Sequence, residues 1–104
     1  MGFMNNYKRV VCEDGFSVSI QASEGKYCCP RNDEGPYIEV ELGFPSHKET
    51  MIMAWAEDRQ KPTETVYAYV PSTTVLEMLL KHGGMVEGEL PPMVMGYSSN
   101  YPNE

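Results

Sequence analysis

From Tyr7 to Gln21, two runs of alternating apolar and polar residues flank Glu13-Asp14-Gly15, a pattern that predicts two half-buried strands joined as a β-hairpin. A two-residue Asp14-Gly15 loop would place Arg9 on the apolar face with Phe16, Val18 and Ile20. A three-residue loop with Gly15 in the left-handed conformation shifts the pairing by one, opposing Cys12 to Phe16 and Val10 to Val18. That register sorts the side chains better. It turns Val10, Cys12, Phe16, Val18 and Ile20 inward and leaves Arg9, Ser17, Ser19 and Gln21 to water. Tyr37 to Leu42 alternates again, which predicts a strand with Ile38, Val40 and Leu42 inside and Tyr37, Glu39 and Glu41 outside. Thr65 to Val70 is rich in β-branched and aromatic residues and predicts a further strand, ended by Pro71.

The run MIMAWA at 51–56 is apolar on both sides and reads as a short helix or irregular turn. Thr74 and Glu77 have capping-box spacing ahead of Leu76, Leu79 and Leu80, so a helix is expected there, with Lys81 and His82 in its last turn and Gly83 as its left-handed stop. MVEGEL at 85–90 predicts a final edge strand. The pattern as a whole predicts one α+β domain over residues 1–92, built from a small antiparallel sheet of four to five strands with one short helix packed on it. Residues 93–104 lack any period and are expected to form a flexible C-terminal tail. Residues 22–36, ASEGKYCCPRNDEGP, are rich in turn formers. A loop of that length in a small domain points to a functional segment.

Charge narrows the choice of function. The chain of 104 residues carries 15 acids against 8 bases, a net charge of −7, which opposes direct nucleic-acid binding because such binding depends on displacing phosphate counterions with Lys and Arg. The same sign favours encounter with a basic protein surface. No stretch reaches the roughly 18 to 20 apolar residues of a spanning helix, and the start MGFMNNYKRV has neither a long apolar run nor a Ser or Thr at position 6, where Asn6 stands. The expectation is a protein without membrane association. Three cysteines, Cys12, Cys28 and Cys29, do not form a paired framework and read as free thiols of a cytoplasmic protein.

Candidate chemistry is sparse. Cys12, Cys28, Cys29 and His47 are of the type that ligates zinc, but adjacent cysteines do not make a zinc knuckle. Cys28 with His47 or His82 would supply the thiol and imidazole of nucleophilic catalysis, but nothing in the sequence places them together. Glu39 and Glu41 lie about 6.6 Å apart on one strand face, within the range of glycosidase carboxylates, yet both point away from the apolar side that would raise a pKa. Neither a catalytic residue, a metal site nor a cofactor is therefore expected, and no enzyme. Asp33, Glu34, Glu39, Glu41, Glu49, Glu57, Asp58 and Glu64 concentrate acid in the middle of the chain, as a phosphate-mimicking surface would. Tyr27, Tyr37, Tyr67 and Tyr69 offer faces for an interface.

The string YKRVVCEDGFSVSIQAS, followed in order by YCCPR, GFPS, TVYAYVP, KHGG and GELPP, resembles small uncharacterised bacteriophage and prophage proteins over most of residues 7–92. The resemblance implies a host bacterial cytoplasm and a non-enzymatic inhibitor of a host protein or nucleoprotein, in the manner of anti-defence and anti-CRISPR proteins. The surface expected to bind that partner comprises Tyr27, Arg31, Asp33, Glu34, Tyr37, Glu39, Glu41, Glu49, Glu57 and Asp58. A second reading is a binder that sequesters a nucleotide signal between protomers through Tyr27, Arg31 and loop amides. A third is a zinc or thiol protein. The edge strand expected at 85–90 would permit a homodimer.

Overall fold

The hairpin takes the register of the three-residue loop: Val10 pairs with Val18 and Val11 with Ser17, and Cys12 N–H donates to Phe16 O at 2.8 Å. Gly15 makes the turn at φ +95°, a conformation that costs a side-chain-bearing residue steric strain. The structure is a computed structural model and describes residues 6–94. Its strands are β1 (Val10–Cys12), β2 (Ser17–Gln21), β3 (Glu39–Gly43), β4 (Val66–Pro71) and β5 (Met85–Glu87), with a 3₁₀-helix (Thr50–Trp55) before β4 and one α-helix, α1 (Ser72–Lys81), after it. They form a five-stranded sheet in the order β4-β3-β2-β1-β5, antiparallel throughout.

This is a small α+β domain of the expected kind. The inward residues Val10, Cys12, Phe16, Val18 and Ile20 of the hairpin join Val40 and Leu42 of β3, Tyr67 and Val70 of β4, Ile52 of the 3₁₀-helix and Val75, Met78 and Leu79 of α1 in one buried cluster. Each such side chain withdrawn from water contributes on the order of 1.5–3 kcal/mol. The run at 51–56 is the expected short helical turn, and β5 is the expected edge strand, its three residues all exposed. Among the described residues no helix is long and apolar enough to cross a membrane.

Three local expectations need correction. The alternation fails at its first two positions, where Tyr37 is buried and Ile38 is 45% exposed. Regular pairing begins only at Glu39; before it, Ile38 N–H and Glu39 N–H both donate to Cys29 O, and Tyr37 N–H donates to Pro92 O. Freed from the pleat, the larger aromatic takes the core, and its hydroxyl donates to Asn32 O at 2.8 Å, which removes the cost of burying it. The helix likewise starts two residues before the expected cap, at Ser72, with no side-chain cap bond. Ser72 is instead fastened to the chain before β3, its N–H donating to Ile38 O at 2.9 Å and its Oγ to Tyr37 O at 2.8 Å. Pro71, still paired with Glu39, carries the φ of −58° that a helix start accepts. Met93 and Val94, assigned to the tail, belong to the domain: Met93 is buried and Val94 N–H donates to Tyr37 O. The rest of the expected tail, 95–104, lies outside the described residues.

The helix ends where expected. Gly83 at φ +92° lets its own N–H reach Leu80 O and Gly84 N–H reach Leu79 O, the paired bonds of a Schellman stop. A Cβ on Gly83 would stand 2.8 Å from Glu13 Cβ, because the tip of the β1–β2 hairpin packs directly on this turn. Glu13 N–H donates to Gly84 O and Asp14 N–H to His82 O.

Candidate functional site

Two constellations of polar side chains emerge, one exposed and one buried. The exposed one is built on a β-bulge. Val40 pairs with Val70 and Leu42 with Tyr67, so Ala68 and Tyr69 together oppose Glu41, and the extra residue twists the strand. Tyr69 absorbs the twist at φ +59°, a left-handed backbone that strains a bulky residue. Its N–H donates to Tyr27 O at 3.1 Å, and Tyr27 N–H donates to Glu41 Oε1 at 3.0 Å. The 22–36 loop is thereby tied to β3 and β4. The rings of Tyr27 and Tyr69 lie 5.9 Å apart, tilted by 42°, and the Arg31 guanidinium carbon stands 5.5 Å from the Tyr27 ring centre. Both tyrosines are exposed, at 39% and 40%.

Of the residues expected to contact a partner, the structure gathers Tyr27, Arg31 and Glu41 in this cluster. Glu39 shares the outer face of β3 two residues away, and Asp33 and Glu34 are exposed on the same loop. Asp33 Oδ1 accepts from Glu24 N–H at 2.7 Å, and Asn32 Oδ1 accepts from the N–H groups of Glu34 and Gly35. Glu57 and Asp58 lie elsewhere. Glu57 N–H donates to Val66 O, at the end of β4 that pairs with Gly43, whereas Glu39 pairs with Pro71 at the other end. Tyr37 and Glu49 are buried, at 0% and 2% exposure, and cannot touch a partner of the folded domain. Tyr69 belongs to the cluster but was expected only as one face among four tyrosines; a bulge that turns it outward leaves no mark in the alternation of VYAYVP.

Glu49 anchors the buried constellation. One of its oxygens accepts from Met51 N–H and from Lys81 Nζ, both at 2.8 Å, and the other lies 2.6 Å from His82 Nε2. His82 Nδ1 lies 2.7 Å from Asp14 Oδ2, and its ring stacks on Phe16 at 4.1 Å, 12° from parallel. Burial pushes the Glu49 carboxyl up, but the bonds from Lys81, Met51 N–H and His82 outweigh it and hold the carboxyl below its ordinary range. For His82, burial disfavours the cation, while the hydrogen bonds and charges of Glu49 and Asp14 outweigh it and raise the imidazole above its ordinary value. The Phe16 N–H, then His82, hold Asp14 below its own.

This constellation does not have the form of a catalytic site. Both imidazole nitrogens are engaged by carboxylates, so His82 has neither a free lone pair nor a neighbouring nucleophile to activate. The two buried thiols are no better placed: burial raises Cys12, helped by Asp14, and burial raises Cys28, lowering the thiolate fraction that nucleophilic and metal chemistry requires. Cys28 is instead a core residue whose Sγ lies 3.2 Å from Ser23 O. Among the described residues no three His, Cys, Asp or Glu are placed to hold a metal ion, and none form a pocket. Comparison with protein-family models, with curated proteins and with solved structures finds no match to the chain.

Proposed function

We propose that this protein is a non-enzymatic inhibitor, phage-encoded as its motifs suggest, that binds a host protein or nucleoprotein through the Tyr27–Arg31–Tyr69 cluster and the carboxylates around it. The observation that carries the reading is the exposed tyrosine pair held by a left-handed Tyr69. The contact of Tyr69 with Tyr27 does no more than offset the strain of the left-handed backbone, whereas an interface gains from a tyrosine face turned to water. Tyrosine and arginine dominate the energetics of interface centres, and the backbones of Tyr27 and Tyr69 are held by hydrogen bonds before any partner arrives, which lowers the entropy cost of docking. Glu39 on the outer face of β3 and the exposed Glu34 and Asp33 of the loop add negative charge suited to a basic partner surface, such as the nucleic-acid channel of a host complex.

The test is capture. Purified protein, immobilised and exposed to bacterial lysate at low salt, should retain a stoichiometric host complex that elutes as salt rises. A Tyr27→Ala/Tyr69→Ala variant should retain none of it, and a Glu39→Lys variant should release it at lower salt. Equal retention by all three proteins would overturn the proposal.

A further inference from the structure

The Asp14–His82–Glu49–Lys81 chain joins three segments far apart in sequence: the hairpin tip, the turn that leads into the 3₁₀-helix, and the C-terminal turn of α1. The two carboxylates that hold His82 are unequal. The Glu49 side chain is 2% exposed, and the Asp14 side chain is 50% exposed. A protonated imidazole donates to both. A neutral imidazole donates through one nitrogen only, and the other then turns a lone pair toward a carboxylate oxygen that it had been holding. One of the two contacts must open.

We infer that His82 is a pH-operated latch on the β1–β2 hairpin: protonated, it clamps the hairpin tip to the end of α1; neutral, it keeps its Nε2–H on buried Glu49 and releases Asp14. The asymmetry of burial sets the direction. Asp14 regains water when released, whereas Glu49 would be left with a buried charge short of one donor. The other charged groups around the latch support this order. Lys81 holds the second oxygen of Glu49 and keeps that carboxylate ionised while the imidazole titrates. Glu13, whose side chain packs beside Gly83, adds a second acid to the hairpin tip and no cation. Phe16 covers one face of the ring, so the imidazole cannot turn away to find water without breaking the stack.

After release the tip still has the bonds of Glu13 N–H to Gly84 O and Asp14 N–H to His82 O. The hairpin therefore loosens without leaving the domain, and the change is confined to Cys12–Phe16.

Nitrogen-15 spectra of the imidazoles across pH 5 to 9 test the latch, with His47, the other histidine of the chain, as internal reference. His82 should carry protons on both nitrogens at the acid end and become the Nε2–H tautomer at the alkaline end, with a midpoint above 6.5, the ordinary histidine value. Amide exchange of Glu13 to Phe16, corrected for its intrinsic pH dependence, should quicken about two- to fivefold across the same midpoint, the range open to one part-exposed ion pair. Asp14→Asn, at a half-exposed position that leaves the core intact, should lower the midpoint and flatten that step. An Nδ1–H tautomer, a midpoint at or below the ordinary value, or an exchange step unchanged in Asp14→Asn would each overturn the inference.

Discussion

Replacing Tyr69 with glycine separates the two roles that a strained surface residue can have. A bulky residue held left-handed costs about 1–2 kcal/mol, which glycine removes. Against that gain, glycine costs the folded state roughly 0.5–1 kcal/mol of extra chain entropy, and loss of the tilted contact with Tyr27 costs about 0.5–1.5 kcal/mol. The terms nearly cancel. Tyr69→Gly should therefore unfold in urea within about 1 kcal/mol of the parent, followed by the fluorescence of the chain's one tryptophan, Trp55. Its affinity for the partner recovered by capture should nonetheless fall by about 2 kcal/mol or more, roughly thirtyfold, as for a tyrosine at an interface centre. A loss of stability well beyond 2 kcal/mol, above the reach of the terms just summed, would mean that the tyrosine holds the 22–36 loop in place. Unchanged affinity would mean that the strain has no bearing on binding. Either result refutes the argument from exposure.

Two further outcomes follow from the buried cluster. Glu49→Gln keeps an acceptor for Met51 N–H but leaves His82 and Lys81 without their buried counter-charge; Lys81 can turn to water and His82 cannot, so the loss should be about 2–4 kcal/mol, seen by calorimetry as a melting point lower by roughly 8–16 °C. A drop of less than about 3 °C, under 1 kcal/mol for a domain of this size, would show that the cluster contributes little. The cluster also shapes stability against pH. His82 is raised, so its contribution is complete below 6.5 and is lost as pH climbs through the folded value. Asp14 and Glu49 are lowered from 3.8 and 4.5, so theirs is complete above those values and is lost as pH falls through the folded ones. Urea midpoints should therefore be highest between about pH 4.5 and 6.5, and in His82→Ala the alkaline decline should disappear.

The hairpin, its register and the helix stop were legible because each depends on residues close in sequence: alternation fixes the faces of β1 and β2, and glycines at 15 and 83 supply the left-handed turns. What failed to show was set by distant segments. Tyr37 reads as an outward strand residue until the chain at 92–94 pairs beside it, and nothing local marks Ser72 until its hydroxyl meets Tyr37 O. Glu49 lay among exposed acids in every local pattern. Its burial follows from Lys81 and His82, 32 and 33 residues along the chain, and from Met51 just beyond it. Charge spacing carries no information about such partners. The exposed face was half legible: Tyr27, Arg31 and Glu41 stood out in a loop and on an outward strand face, whereas Tyr69 enters only through the bulge in β4.

The register of the sheet places the two constellations apart and links them through α1. Glu39 pairs with Pro71, so α1 starts at the end of β3 near Tyr27, where Ser72 is tied to the chain before β3. Ten residues at 1.5 Å of rise, about 15 Å, bring it to His82 and the hairpin tip. Each end of the helix is thus fastened by polar groups, while its middle, Val75, Met78 and Leu79, supplies only non-directional burial. Apolar packing alone permits the helix to slide or turn against the sheet; a hydroxyl fixed at one end and a carboxylate–imidazole chain at the other do not. Among the described residues no buried side-chain polar atom lacks a partner, so this fixing carries no unmet desolvation cost. The Tyr27–Tyr69 cluster belongs to neither fastening. It is held by the Tyr69 N–H bond to Tyr27 O and by the Glu41 carboxylate on Tyr27 N–H, which leaves the exposed faces of the two rings open to a partner.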